Sequence, residues 1–171
     1  MARPDLGDSR GGGGGGLKVA VRPARPEDRP FVLATSERLA VFGPPPWRTP
    51  AEVVEGEART LRAFFDAPPA NAALLVAEDE AHRPLGFAYV EVLRDYFRQD
   101  EHGHVGILAV AAEAEGKGAG GALLAAAEDW SRARGFDRLT LNVFEKNARA
   151  RAVYAHRGFR PESLRYVKPL E

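Results

Sequence analysis

Apolar residues recur along this chain with two different periods. Leu17, Val19 and Val21 alternate with Lys18, Ala20 and Arg22, which predicts a first strand over 17–22. Pro26-Glu27-Asp28 opens a helix, with proline near its first position and acids in its first turn. That helix carries Phe31, Leu33 and Leu39 and stops before Gly43-Pro44-Pro45-Pro46. A second helix begins at Thr49-Pro50, a cap followed by proline, and runs through Val53, Val54, Leu61 and Phe64-Phe65 to Pro68-Pro69. The period then falls to two. Strands are predicted over 73–77 and 85–93, joined as a hairpin by the polar turn 78–84. On the second of them Phe87, Tyr89, Glu91 and Leu93 share one face, and Ala88, Val90 and Val92 share the other.

After the polar loop 94–103 comes the stretch on which the rest is organised. An apolar run over 105–112 reads as a buried strand, with Val105, Ile107 and Val110 β-branched. The glycine-rich turn Gly116-Lys117-Gly118-Ala119-Gly120-Gly121 follows, and then a helix with Leu123, Ala127 and Trp130 on one stripe. A fifth strand is predicted over 137–144. Asn147 caps a short helix over 148–157, which Gly158 ends. Phe159 and 164–170 read as short closing strands. Two early strands and then strand–helix–strand–helix–strand predict a mixed sheet in an α/β (α+β-type) domain. The Gly11–Gly16 tract and Pro4 mark residues 1–16 as a flexible tail. The domain is therefore expected at 17–171.

Composition narrows the chemistry. Lysine plus arginine equals aspartate plus glutamate at 24 each in 171 residues, so no global field draws nucleic acid or an anionic membrane. The absence of cysteine excludes disulfides, a thiolate zinc site and a thiol nucleophile. The histidines are scattered, at His82, His102, His104 and His156, and no metal role is expected. Neither a transmembrane run nor a signal pattern is visible, so the expected location is cytoplasmic.

Strand, glycine turn and helix form a geometry that binds phosphate. Glycines bring the backbone close, and the helix N-terminus presents unpaired N–H groups. A P-loop pattern fails at both ends: Ala111 stands where its first glycine belongs, and Gly118 follows the lysine. Gly116, Gly118 and Gly121 do match the dinucleotide fingerprint in form, with Glu145 as a candidate ribose ligand. Too little chain follows Glu145 to build that fold's second half.

A third pattern spans the whole domain. Leu108-Ala109-Val110, the turn Gly116-Lys117-Gly118-Ala119-Gly120, and then Asn147, Ala152-Val153-Tyr154 and Gly158-Phe159 resemble the two signatures of the GNAT superfamily of acyl-CoA-dependent N-acetyltransferases. The resemblance covers 17–170. It implies a twisted, mostly antiparallel mixed sheet of six to seven strands, about four flanking helices and splayed central strands. It also implies transfer of an acetyl group from acetyl-CoA to a primary amine, by direct attack through a tetrahedral intermediate and without a metal. One position departs from the pattern: Glu115 stands where the family has glutamine or arginine. An acyl-CoA-binding sensor or scaffold without turnover is the alternative that Glu115 supports.

The same resemblance assigns roles. Leu108, Ala109 and Val110 offer their backbone to the pantetheine arm, with the Val110 N–H as oxyanion donor. Glu115, Gly116, Lys117, Gly118, Ala119, Gly120 and Gly121 surround the pyrophosphate. Asn142, Asn147 and Ala150 complete the cofactor set, and Tyr154 is the acid that protonates the CoA thiolate. Asn147, Ala150, Tyr154 and Arg157 also lie on one helical stripe. Without the resemblance, Tyr154 reads first as a half-buried core aromatic with its hydroxyl on a backbone carbonyl. The base that deprotonates the amine is expected at His104, with Glu91 and Glu101 as rivals. His104, Gly106, Leu108 and Val110 are expected on one strand face, and His102 on the surface. Phe42, Trp47, Tyr96, Phe97 and His104 are expected to wall the acceptor site. The partner is then a small-molecule or protein amine, not nucleic acid or membrane, and the protein is expected as a monomer or homodimer.

Overall fold

The computed structural model describes residues 18–170; the expected tail at 1–16 lies outside them. Five strands form one sheet in sequence order: β1 (Ala20–Pro23), β2 (Ala72–Glu78), β3 (Pro84–Arg94), β4 (Glu101–Val110) and β5 (Leu139–Leu141). All neighbours are antiparallel except β4 and β5, which run parallel. Helices α1 (Arg29–Ser36) and α2 (Pro50–Asp66) cover one face; α3 (Ala119–Arg132) covers the other, and α4 (Ala148–His156) follows β5.

Alternation along the strands builds two half-cores. Leu75, Ala77, Ala88, Val90 and Val105 pack with Leu123, Leu124 and Ala127 of α3. Leu74, Val76, Phe87, Tyr89, Ile107 and Ala109 pack with Val32 of α1 and Leu61 of α2. The caps follow the sequence. Thr49 accepts from the Glu52 N–H, and Glu52 reciprocates, at the start of α2. The Asn147 side chain accepts from the Ala150 N–H at 3.0 Å. Arg22 ties β1 to the turn before α1 and to β2. Its guanidinium bonds Asp28 at 2.7 and 3.0 Å and Glu78 at 2.7 Å.

One irregularity positions everything that follows. Tyr89 pairs with Ile107, but Val90 pairs with Val105. Gly106 is therefore an extra residue in β4, a β-bulge. It inverts the side-chain parity of the strand. Val105 faces α3, and beyond the bulge so do Leu108 and Val110, while Ile107 and Ala109 face α1 and α2. The expected shared face of 104, 106, 108 and 110 is corrected accordingly. His104 shares its face with Ile107 and Ala109.

Among the described residues the sheet has five strands, not six to seven. The ladder between β4 and β5 ends at Val105↔Leu141, because the bulge turns Gly106–Val110 away from the neighbouring chain. The fifth strand is thus Leu139–Leu141 rather than 137–144. No closing strand forms over 159–170. Pro161 and Pro169 remove donors from that segment. Its Leu164, Tyr166, Val167 and Leu170 are exposed and fall on both parities, so no single face could be buried. The first helix is also shorter than expected. It gives way at Ser36, whose hydroxyl donates to the Leu33 carbonyl at 2.7 Å, to a 3-10 turn over Glu37–Val41.

Candidate active site

The glycine turn leaves β4 through a short 3-10 turn (Ala112–Ala114) and enters α3 at Gly118. Gly116 and Gly118 have φ of +74° and +87°. A Cβ added at either would meet nothing within 4 Å. These positions are glycine because of their dihedral angles, and open space lies beside them. Gly120 faces Val110, Ala119 is buried, and Lys117 is exposed. An added Cβ at Gly121 would come within 2.5 Å of the Arg157 Nη2. This arrangement of N–H groups at the start of a 14-residue helix fits a pyrophosphate.

Glu115 does not stand alone beside that turn. Its carboxylate bridges the Arg38 Nη2 and the Arg149 Nη1. The Arg149 hydrogen bond, with Arg38 behind it, holds the Glu115 carboxyl below its usual range. The charge that departs from the signature is thereby compensated by two guanidinium groups.

Beside the turn, β4 and the chain after β5 diverge. The Ala111 N–H donates to the Leu85 carbonyl of β3. Alternation then turns the N–H and carbonyl of Val110 to the opposite edge, into the gap. There the Arg38 Nε donates to the Val110 carbonyl at 3.0 Å. Leu108 and Val110 are half-buried, and Ala109 is buried. Asn142 is exposed in the chain leaving β5.

Tyr154 on α4 is half-buried against the α3-side core and meets Phe159 edge-on, with ring centroids 5.9 Å apart. Burial pushes the Tyr154 hydroxyl pKa up, so it stays protonated through neutral pH and can donate. Arg157, one turn on, lies over Gly121. The stripe from Asn147 through Ala150 and Tyr154 therefore turns toward the glycine turn.

His104 is 7% exposed. Its Nδ1 lies 2.8 Å from the Thr140 Oγ1, which in turn lies 3.4 Å from the Gly103 carbonyl. A Thr140 hydroxyl that donates to Gly103 accepts from Nδ1–H, which assigns the lone pair to Nε2. Burial first, and His102 second, hold the His104 pKa below its ordinary value. Glu91 is its cross-strand partner. The Glu91 Oε2 lies 3.5 Å from the Tyr89 hydroxyl, and a Cβ on Gly106 would stand 3.3 Å from Oε1. Glu91 and His104 thus lie side by side on the α1–α2 face, and Tyr89 and Glu91 close over Gly106. Glu101 is exposed at the hairpin end of β4, paired with Arg94, away from them. His102 is buried, not a surface residue, and its Nδ1 has no partner among the described residues.

The expected acceptor wall is divided. Phe42 lies under Arg38, with the guanidinium 5.8 Å from its ring, and Gly43 abuts Lys146. Phe42 therefore belongs to the glycine-turn end, and Trp47 is half exposed in the loop beyond. Tyr96 and Phe97 are 82% and 87% exposed and stack edge-on at the tip of the β3–β4 hairpin. Asp95 accepts from the Phe97 N–H there, and Arg138 bonds Asp100 beside it. That tip is at the far end of β4, a strand that spans roughly 30 Å. The structure does not bring these two aromatic groups together.

Sequence reasoning missed Arg38, Arg149 and Thr140. Arg149 lies two residues past the Asn147 cap, and Thr140 shares strand parity with Asn142; both could have been weighed. Arg38 carries no local signal.

The family model described as the acetyltransferase (GNAT) family matches residues 40–159. A mycothiol acetyltransferase from Beutenbergia cavernae is 51% identical over 62 residues, 36% of this chain. That stretch spans only 21% of the relative's length. Among solved structures, a protein from Pyrococcus furiosus superposes with a TM-score of 0.72 at 21% identity, covering 90% of this chain and 100% of that one. An aminoglycoside N-acetyltransferase in complex with CoA gives 0.67 at 16% identity, covering 91% and 96%. A ribosomal-protein-alanine N-acetyltransferase from Brucella melitensis gives 0.65 at 19%, covering 90% and 100%. At these identities the structural likeness is one of fold.

Proposed function

The chain belongs to the acetyltransferase (GNAT) family, and we propose that it transfers an acetyl group from acetyl-CoA to a primary amine. The observation that carries this reading is the separation of β4 from β5 after Val105↔Leu141. The glycine turn stands at one end of that gap and His104 at the other. Acetyl-CoA supplies the activated acyl group as a thioester.

The chain's own residues do the rest. Backbone N–H groups of Gly116 and of Gly118 to Gly121 take the pyrophosphate, with the Lys117 side chain adding positive charge at the turn. The edge of Leu108, Ala109 and Val110 aligns the pantetheine arm. The Val110 N–H, fixed by the strand, stabilises the oxyanion of the tetrahedral intermediate at no reorganisation cost. The neutral Nε2 of His104 takes the proton from the incoming ammonium, with Glu91 across the strand pair as second acceptor. Glu101 is too exposed and too near the hairpin tip to share that role. Tyr154, kept protonated by burial, donates to the departing thiolate.

A second reading is favoured by one observation. Arg38 holds the Val110 carbonyl in the gap itself, which would suit a protein that binds acyl-CoA without turning it over. Release of CoA from acetyl-CoA, measured across a panel of primary amines, separates the two. Amine-dependent release supports transfer; binding of acetyl-CoA with no release from any amine supports the sensor.

A further inference from the structure

Two tethers join the β4 side of the gap to the chain after β5, and Arg38 belongs to both. The 3-10 turn Glu37–Val41 brings Arg38 to the β4 side, where its Nε donates to the Val110 carbonyl at 3.0 Å. The same segment meets the other side at Gly43, whose added Cβ would stand 2.9 Å from the Lys146 Cβ. The second tether runs from the Arg38 Nη2 through the Glu115 carboxylate to the Arg149 Nη1 on α4. The Phe42 ring lies under the Arg38 guanidinium.

The peptide unit between Val110 and Ala111 is already held to β3, because the Ala111 N–H donates to the Leu85 carbonyl at 2.9 Å. That bond fixes the strand end without Arg38. The Val110 carbonyl is instead the acceptor that an added strand would use on this edge. The pantetheine arm of acyl-CoA lies along the same edge in the function proposed above, so Arg38 stands where an amide N–H of the arm would bond. Its hold is weak. Side-chain exposure is 28% for Arg38, 29% for Glu115 and 61% for Arg149, and ion pairs this exposed contribute little. Leaving Val110 breaks only one contact, since Nη2 stays on Glu115 while Nε turns away. Glu115 thereby gains a use. A carboxylate beside a pyrophosphate is unfavourable by charge, and here it is the pivot that keeps Arg38 at the gap.

We infer that Arg38 and the pantetheine arm compete for the Val110 carbonyl, and that acyl-CoA enters the gap by turning Arg38 away about its bond to Glu115. This rests only on the acyl-CoA-binding part of the proposed function and adds how entry to the site is controlled.

The test is calorimetric binding of two ligands to the parent, Arg38→Met and Arg38→Lys. The ligands are acetyl-CoA and adenosine 3′,5′-bisphosphate, a nucleotide fragment of CoA without the pantetheine arm. Arg38→Met frees the carbonyl, so acetyl-CoA should bind roughly threefold tighter, the scale of one exposed charged contact. Binding of the fragment should be unchanged. Arg38→Lys keeps the charge but lacks the fork that bonds carboxylate and carbonyl together, and should tighten acetyl-CoA by less. Melts without ligand check that each variant is folded, and Arg38→Lys carries the test if Arg38→Met is not. Unchanged acetyl-CoA binding in the folded variants would overturn the inference. Weaker binding of acetyl-CoA and the fragment together would also overturn it and make Arg38 a phosphate ligand. Weaker binding of acetyl-CoA alone would overturn it and make Arg38 a support for the strand edge. Acetyl-CoA binding to none of the three proteins would overturn the inference and the proposed function together. Tighter binding in Arg38→Met, with no CoA release from any amine, would support the inference and count against acetyl transfer.

Discussion

His104 and Thr140 face each other across the only parallel strand pair among the described residues, Nδ1 2.8 Å from Oγ1. The contact fixes the ring. With the Nδ1 proton donated to Oγ1, Nε2 is the basic atom, on the face where Glu91 lies. Burial lowers the His104 pKa, so the ring is neutral at pH 7 and remains neutral somewhat below the ordinary histidine value.

The acidic limb of the pH–rate profile should therefore fall below about pH 6.5, the unperturbed histidine value. His104→Ala should flatten that limb. Thr140→Val keeps the shape of the side chain but removes the acceptor, and should lower kcat about tenfold, less than the loss of a base itself, which costs roughly a hundredfold or more. A limb unchanged in His104→Ala would pass the base role to Glu91.

Gly118→Asp should abolish binding of acetyl-CoA. It forces a side chain onto a residue at φ +87° and puts a carboxylate at the helix start where a phosphate would lie. In the parent protein, acetyl-CoA should raise the Tm, since a ligand selective for the folded state stabilises it. The same rise in the variant would place the site elsewhere.

Gly103→Ala tests how closely α3 sits on β4. The new Cβ would stand 2.1 Å from the Ser131 Oγ and 3.1 Å from the Leu139 Cδ1. Ser131 is held by its own bond to the Ala127 carbonyl. Overpacking of this kind costs roughly 1–3 kcal/mol, or a Tm lower by about 5 °C in a chain of this size. An unchanged Tm would contradict the described contact.

Arg22→Met should be more damaging than any surface change. Among the described residues, it removes the only cation bonded to the buried Asp28 carboxylate and leaves the buried Glu78 with His82 alone, at a cost on the order of 3 kcal/mol. The Arg22 hydrogen bond holds the Asp28 carboxyl below its usual range. A depressed carboxyl gives stability that is present above the unfolded value, about pH 3.9, and lost as pH falls through the folded value. The parent should therefore lose Tm on acidification below about pH 4. Thermal melts against pH should show a shallower acid loss in Arg22→Met; an equal slope would place the acid-sensitive group elsewhere.

Local features of this fold were legible in the sequence. The Asn147 cap, the Thr49–Glu52 capping box and the hairpin of β2 and β3 depend on residues close together in the chain. The glycine turn was legible because Gly116 and Gly118 have dihedral angles that few other residues adopt. What escaped depends on register and distance. One glycine inside an apolar run does not announce a bulge, so the parity of β4 beyond Gly106 could be read only against β3. The bridge from Arg38 through Glu115 to Arg149 joins three elements far apart in sequence. Apolar residues over 164–170 suggested strands, but no single face collects them.

The most direct test of the account is the product of a reaction with acetyl-CoA and a primary amine, identified by mass, with Tyr154→Phe as the comparison. The parent should yield the N-acetylated amine with one CoA released for each. Tyr154→Phe keeps the ring and loses only the proton donor, so kcat should fall at least tenfold while acetyl-CoA still raises the Tm as in the parent. Undiminished turnover in that variant would remove Tyr154 from the mechanism. The absence of any acetylated amine from the parent, with acetyl-CoA bound, would contradict acetyl transfer itself.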